Sequence, residues 1–170
     1  MERIQLKALG KINLGLDVLG KRENGYHDVR MIMQTVYLYD EVTLEKRQEP
    51  GITVSTNLIY LPTDKTNIAY RAAKILLDEF GERRGVAIHL KKHIPVAAGM
   101  AGGSADAAAV LFGMNRMFGW KLSEKELKRY RKIGQECAGI VEGVAMNARP
   151  GQTEQEIADK IRTGCIARGI

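Results

Sequence analysis

Between residues 95 and 105 the chain reads Pro-Val-Ala-Ala-Gly-Met-Ala-Gly-Gly-Ser-Ala and runs straight into an alanine-rich stretch. Pro95, Val96, Ala97 and Ala98 lead in, Met100 and Ala101 separate Gly99 from the pair Gly102–Gly103, and Ser104 and Ala105 follow. Glycines let a backbone turn tightly and come close to a ligand. A helix that opens behind them offers N–H groups without internal partners and about half a positive charge from its dipole. The spacing predicts a helix over Asp106–Phe118, starting near Ala105, with Ser104 able to cap it. Phosphate is the natural occupant of such a cradle. The loop has no Lys in the GxxxxGK[ST] arrangement and no G-x-G-x-x-G spacing, which sets it apart from two common phosphate loops. A glycine-rich strand-to-helix turn with a purely structural role is the other reading these residues permit.

Other polar residues stand where chemistry is possible. Lys11 and Asn13 are two apart in an alternating stretch, so on a strand both point to one face. A Lys facing a cleft can hold a hydroxyl and stabilise charge that develops during phosphoryl transfer; a solvated strand face would look the same. Tyr26 and His27 follow Asn24-Gly25, a strong hairpin signal because both residues tolerate positive φ. An aromatic ring there can stack on a base and an imidazole can bond its edge, or the pair is simply an exposed hairpin tip. His89 and His93 have the spacing of a helical metal pair, but their segment alternates as a strand and brings no carboxylate, so a surface role is expected and no metal site.

The elements that must position these residues are legible in outline. Ile4, Leu6 and Ala8 alternate with polar residues, as do Ile12, Leu14 and Leu16. Val36–Leu44 and Ile52–Ser55 read as further strands around the polar stretch Glu45–Gly51. Over Asn67–Phe80 the period becomes helical, with Ile68, Ala72, Ile75, Leu76 and Phe80 on one face, Asp64 or Thr66 as cap and Gly81 as stop. Val86, Ile88 and Leu90 form another strand before the glycine loop. Gly119 closes the next helix and Ser123 caps one more. From about Lys128 the pattern is helical, broken at Arg149-Pro150-Gly151. Strands, helix, strand, loop, helix predict an α+β domain with helices on one face of a mixed sheet.

The 170 residues suffice for one domain with a real core. Hydrophobic residues at 45% and charged ones at 27% are ordinary for a globular chain. No apolar run approaches the roughly 18–20 residues that span a bilayer, and the N-terminus has no signal-peptide core, so a cytoplasmic protein without a membrane partner is expected. Cys137 and Cys165 show no metal-ligand spacing and read as reduced thiols. The net charge of +6 favours anionic partners. Few aromatics besides Trp120 and no long basic run argue against nucleic acid. Oligomeric state is not legible.

The segment PVAAGMAGGSADAAA resembles the second motif of the GHMP kinase superfamily, which includes galactokinase, homoserine kinase and mevalonate kinase. Lys11-Ile12-Asn13-Leu14 is similar to the first motif, though Ala8-Leu9-Gly10 stands where Ala-Pro-Ala is usual. Gly20-Lys21-Arg22-Glu23-Asn24-Gly25-Tyr26-His27 and Asn67-Ile68-Ala69-Tyr70 also match, in family order, over residues 1 to about 127. With Ser-Ala-Asp-Ala-Ala after the glycines, the chain looks like the branch acting on diphosphocytidyl-methylerythritol in non-mevalonate isoprenoid synthesis. The resemblance implies a fold like the second domain of ribosomal protein S5, ATP with Mg²⁺, and phosphorylation of a hydroxyl on a phosphorylated small molecule. It assigns Lys11 to catalysis, residues 95–105 and Asn67 to ATP (Asn67 reading adenine, a helix cap being the alternative use), and Asn13, Tyr26 and His27 to substrate.

The chain departs from that pattern after residue 128. The third glycine-rich motif has no counterpart, and Ile133-Gly134-Gln135-Glu136 puts Glu136 where the family has its catalytic Asp, without the Val-Pro-Phe that follows. Residues 149–158 instead resemble a stretch of the creatinase/aminopeptidase P family whose Arg-Pro-Gly-x-Thr-Glu joins two helices. The predicted organisation is a kinase-like ATP-binding domain over 1–128 and a helical tail over 129–170, possibly foreign to it. A partial enzyme, a non-catalytic nucleotide- or substrate-binding fragment or chimera, and an RNA-binding S5-like module are the functions this sequence allows.

Overall fold

The computed structural model describes residues 1–21 and 27–127. Four strands and two helices follow in chain order: β1 (Arg3–Lys21), β2 (His27–Arg47), β3 (Ile52–Thr56), α1 (Ile68–Glu79), β4 (Gly85–Lys91) and α2 (Gly102–Phe118). The chain divides into two compact units, one of residues 1–12 and 35–134, the other of 13–34 and 135–170. The predicted hairpin turn with Tyr26 and the predicted helical tail, including Glu136, Cys137 and Cys165, lie outside the described residues.

In the first unit the sheet order is β1-β2-β4-β3. β4 alternates: Val86, Ile88 and Leu90 are buried, while His89 and Lys91 face outward. β2 runs antiparallel to it and sets Val42 opposite Leu90 and Leu44 opposite Ile88. β3 lies parallel to β4, with Ile52 opposite Val86. Parallel neighbours need a crossover, and α1 supplies it. Along β1 and β2 the partners run in opposite directions, Arg3 with Glu45, Gln5 with Glu41 and Lys7 with Tyr37, so this pair is antiparallel.

Both helices bury one side in the same core as the strands. α1 contributes Ala69, Ala72, Ala73, Leu76 and Leu77, and α2 contributes Ala107, Val110, Leu111, Met114 and Met117. The expected face of α1 was set one residue away: Ile75 is half-buried and Phe80 exposed, because the stripe that meets α2 is built on alanines, which let two helices approach closely. Asn67, rather than Asp64 or Thr66, caps α1: its side-chain oxygen accepts the Ala69 N–H at 2.8 Å. Gly81 stops α1 as expected, in the left-handed region at φ 57°. Its N–H reaches the Asp78 carbonyl at 3.2 Å, and that of Glu82 reaches Leu77 at 2.9 Å, a Schellman ending.

α2 begins at Gly102, earlier than the predicted Asp106. The left-handed residue that ends the loop is Ala101, so both following glycines already belong to the helix. Ser104 therefore sits inside the first turn, and no side chain caps this N-terminus. Gly119 closes the helix at φ 75°. Ser123 caps the next turn reciprocally with Glu126, accepting the Glu126 N–H while the Glu126 carboxylate accepts the Ser123 N–H at 2.9 Å. Trp120 stacks on Phe80 and on Phe118, with ring centroids 4.6 and 4.8 Å away, so its ring is engaged within the fold and is not offered to a nucleic-acid base.

In the second unit the far parts of β1 and β2 carry Leu14, Leu16 and Val18 on one strand and Val29, Met31 and Met33 on the other, all exposed. Arg30 holds Asp17 at 3.1 Å. Each strand runs unbroken where the alternation suggested shorter pieces; alternation marks which residues share a face, not where a strand stops.

Two glycines test the packing. A Cβ on Gly85 would lie 2.4 Å from the carbonyl oxygens of Glu49 and Gly51, whereas one on Gly113 would meet only the tips of Leu44 and Leu6 at 2.6 and 2.8 Å. Side-chain tips can yield and a backbone turn cannot. Gly85→Ala is therefore expected to cost about 1–3 kcal/mol or more, and Gly113→Ala, which also gains helix propensity, about 1 kcal/mol or less. Urea midpoints of the two variants check the order.

Candidate functional site

The glycine loop runs from the end of β4 to the start of α2. Ala97, Gly99 and Ala101 have φ of 60°, 69° and 61°, while Ala98 and Met100 do not share that sign. A left-handed residue at every second position turns successive N–H groups toward one side, the geometry of an anion-binding nest. Two of the three are alanines, which cost about 1–2 kcal/mol each in this region. Residues 95–101 are exposed except for Met100, which is half-buried. Its concave backbone and the uncapped N-terminus of α2 meet at Gly102.

β1 passes beside this loop. The Lys11 N–H donates to the Met100 carbonyl at 3.0 Å. Gly10 must be small there, since a Cβ would lie 3.2 Å from the Ile94 side chain and 3.3 Å from the Leu38 carbonyl. Lys11 is thus fixed next to the loop by its own backbone. The α1 N-terminus is close as well, because a Cβ on Gly103 would meet the Ile68 methyl at 3.7 Å. Asn67 precedes Ile68 and is buried, with its oxygen on Ala69 and its amide nitrogen donating to the Pro62 carbonyl at 2.7 Å. The cap is the use the geometry displays. Asn13 and His27 belong to the second unit, and Tyr26 lies outside the described residues.

Beneath the loop lies a group that periodicity did not reveal. Asp40, Lys92 and Asp106 are all buried. The Lys92 ammonium donates to Asp40 and, at 2.5 Å, to Oδ2 of Asp106. Oδ1 of Asp40 accepts the N–H groups of His93 and Ile94 at 2.6 and 2.8 Å. Oδ1 of Asp106 has no hydrogen-bond partner among the described residues. Burial pushes the Asp106 carboxyl up to about 7, against the pull of Lys92. The signal was available: Asp106 shares its helix face with Val110, Met114 and Met117, and a carboxylate on a core stripe must have a partner.

The two histidines lie on the open side of the sheet. His89 bonds Ser55 at 2.6 Å and sits 3.8 Å from Glu45, and His93 bonds the Tyr39 carbonyl at 3.0 Å. Among the described residues no three His, Cys, Asp or Glu side chains gather as a metal site, and no helix is long and apolar enough to cross a membrane. The loop's inward N–H groups suit the phosphates of a nucleotide; Mg²⁺ would be held chiefly by those phosphates.

Residues 67–150 match the profile of the GHMP kinases N terminal domain. The chain is 57% identical over 154 residues to the 4-diphosphocytidyl-2-C-methyl-D-erythritol kinase of Lachnoclostridium phytofermentans, covering 89% of this chain and 53% of that protein. It is 50% identical over 150 residues to the same-named protein of Alkaliphilus metalliredigens, covering 88% and 52%. This chain carries a GHMP kinase N-terminal domain. A crystal structure of 4-(cytidine 5'-diphospho)-2C-methyl-D-erythritol kinase superposes with a TM-score of 0.65 at 33% identity, over 80% of this chain and 49% of that one. Homoserine kinase from Cytophaga hutchinsonii gives 0.62 at 19% identity, over 79% and 41%, a likeness of fold alone. The chain spans about half the length of the relatives it matches. The GHMP profile runs past residue 128, into residues that lie outside the described part.

Asp106 makes stability depend on pH. Its ordinary value is 3.8 and its folded value about 7, so between those limits the native state holds a proton that the unfolded chain has released. Stability contributed by this group is therefore present below 3.8, is lost as pH rises toward about 7, and changes little above. Urea unfolding of Asp106→Asn is expected to lack this downward trend; an equal trend in both proteins would remove Asp106 as its source.

Proposed function

We propose that this GHMP-type domain binds ATP through the 95–105 loop and serves phosphoryl transfer to a hydroxyl of 4-diphosphocytidyl-2-C-methyl-D-erythritol. The observation that carries the reading is the hydrogen bond from the Lys11 N–H to the Met100 carbonyl, which ties the strand bearing a candidate catalytic Lys to an anion nest. The strong identity to relatives of that name supports the choice of acceptor.

In this reading the loop N–H groups and the first turn of α2 hold the nucleotide phosphates and neutralise their charge. The Lys11 ammonium stands beside the transferring group and stabilises the oxygens that gain charge as the acceptor hydroxyl attacks the γ-phosphorus, the bond to the β-phosphate oxygen breaks and the hydroxyl proton passes to solvent. Asn13, Tyr26 and His27 would hold the diphosphocytidyl acceptor. Asn67 would shape the adenine side through the α1 cap it already forms, and Mg²⁺ brought in with the nucleotide would supply further charge neutralisation.

Titration with a non-hydrolysable ATP analogue is expected to saturate, and Gly103→Val to weaken it by about tenfold or more, since a side chain on the loop would crowd a bound phosphate. A Cβ at that position meets only the Ile68 methyl at 3.7 Å, so the first carbon of the new side chain fits, and an unchanged urea midpoint checks that the fold is kept; equal binding by both proteins would sink the loop assignment. A coupled ADP-release assay with the diphosphocytidyl substrate then separates kinase from binding fragment. Activity lost by about a hundredfold or more in Lys11→Ala, with nucleotide affinity kept within about tenfold, is the kinase result. Binding without any ADP release is the result of a non-catalytic fragment.

A further inference from the structure

The triad beneath the loop has a feature that simple packing does not explain. One ammonium serves two carboxylates in a site from which water is excluded. Fully ionised, the three side chains would carry a net charge of −1, which burial disfavours. One proton resolves the imbalance, and the hydrogen bonding says where it goes. Both oxygens of Asp40 are taken, Oδ1 by two backbone N–H groups and Oδ2 by Lys92. Asp106 has only Oδ2 engaged, and its buried Oδ1 is open among the described residues.

The placement of the three residues matters as much as their charge. Lys92 stands three residues before the loop and Asp106 one residue after it. Asp40, on β2, holds the backbone of His93 and Ile94 and, through Lys92, the start of α2. Both ends of the loop are thereby fastened to one point of the sheet. Asp106 is the fifth residue of α2, about 6 Å along the axis from the first. A negative charge on it opposes the dipole field that draws phosphate to that end.

We propose that Asp40, Lys92 and Asp106 form a proton-responsive clamp under the phosphate loop: the protonated clamp holds the loop ready for a nucleotide phosphate, and phosphate binding is coupled to proton uptake by Asp106. The proposal rests on the phosphate-loop reading above. Asp106 and its partners are positioning residues; none of them touches the ligand. The charged groups that act on Asp106 are Lys92, from the segment after β4, and Asp40, from β2; His93 follows Lys92 and donates its N–H to Asp40. Imidazoles as a class change charge near neutrality, which makes His93 the control.

The test measures ADP affinity from pH 6 to 8.5 for wild type and Asp106→Asn. Dividing one profile by the other cancels the titration of ADP itself. Wild-type affinity is expected to fall about tenfold relative to the variant as pH rises, the factor for a displacement of about one pH unit in Asp106. A constant ratio overturns the clamp while leaving the loop assignment standing. His93→Gln should keep the wild-type slope; its loss there would move the titration to the imidazole and overturn the proposal. Should Asp106→Asn fail to fold, wild type alone decides. Calorimetry at pH 7 with the thiodiphosphate analogue of ADP, whose terminal group stays ionised, in buffers of different ionisation enthalpy, is expected to show proton uptake. Zero uptake or release overturns the clamp. Absence of any saturable nucleotide binding would instead sink the phosphate-loop reading, and the clamp with it.

Discussion

An ammonium held between two carboxylates where water cannot reach is the constraint around which the rest of this domain is arranged. Desolvating three charges costs several kcal/mol per ion, and mutual attraction restores that only when geometry and hydrogen bonding are good. Here Asp40 meets the condition by accepting two backbone N–H groups besides the ammonium. The gain lies less in net stability than in uniqueness. Lys92 cannot leave its place without stranding two buried carboxylates, so β2 at Asp40, the exit of β4 and the start of α2 are compelled to meet at one point. An apolar trio of similar volume would pack as well and permit the elements to slide.

Small residues make the surrounding space possible. Gly10 lies where a Cβ would press on Ile94 and the Leu38 carbonyl, and Gly102 where one would come within 3.1 Å of Ile94 and 3.3 Å of Asp40. Alanines line the contact between α1 and α2, and Gly113 lets α2 settle over Leu44 and Leu6. Of these, Gly102 brings the start of α2 directly against Asp40 of the triad. Two alanines with positive φ in the loop tell the opposite story. That strain has no packing reward in an exposed loop, and it persists because both ends of the loop are fastened.

Much of this was legible in the residues, and what was missed has a definable cause. The buried alternation of β4, the Gly81 and Gly119 helix stops and the Ser123 cap followed from local rules, because each depends on a few neighbouring residues. The mixed sheet with helices on one face followed from the order of the elements. The start of α2 was misplaced because glycine pairs suggest loop, whereas Ala101 takes the left-handed position and releases both glycines into the helix. The α1 cap is Asn67, the alternative use that its position offered, and not Asp64 or Thr66; its amide nitrogen also bonds the Pro62 carbonyl. The triad joins residues 52 and 14 positions apart. Periodicity could expose Asp106 as a polar residue on an apolar stripe, but only the fold could name Asp40 and Lys92 as its partners. Lys11 and the glycine loop, in contrast, are nominated by residue type, spacing and the family resemblance, and the structure sets their backbones side by side.

The way Lys11 is anchored completes the logic. In the role proposed for Lys11, a long, flexible side chain alone would be a poor device for placing charge within the few tenths of an ångström that phosphoryl transfer demands. Its backbone, however, is bonded to Met100, in the middle of the alternating left-handed residues. The strand and the loop therefore shift together, and the ammonium's root keeps its distance from the nest whichever rotamer the side chain adopts. The loop is in turn fixed at Ile94 and Gly102 by the triad and by the space those residues share. The chain of constraint runs from a buried ion group to loop ends, from loop to strand, and from strand to Lys11. A domain built in this order can hold a strained loop and an uncapped helix start rigid, because neither has to stabilise itself.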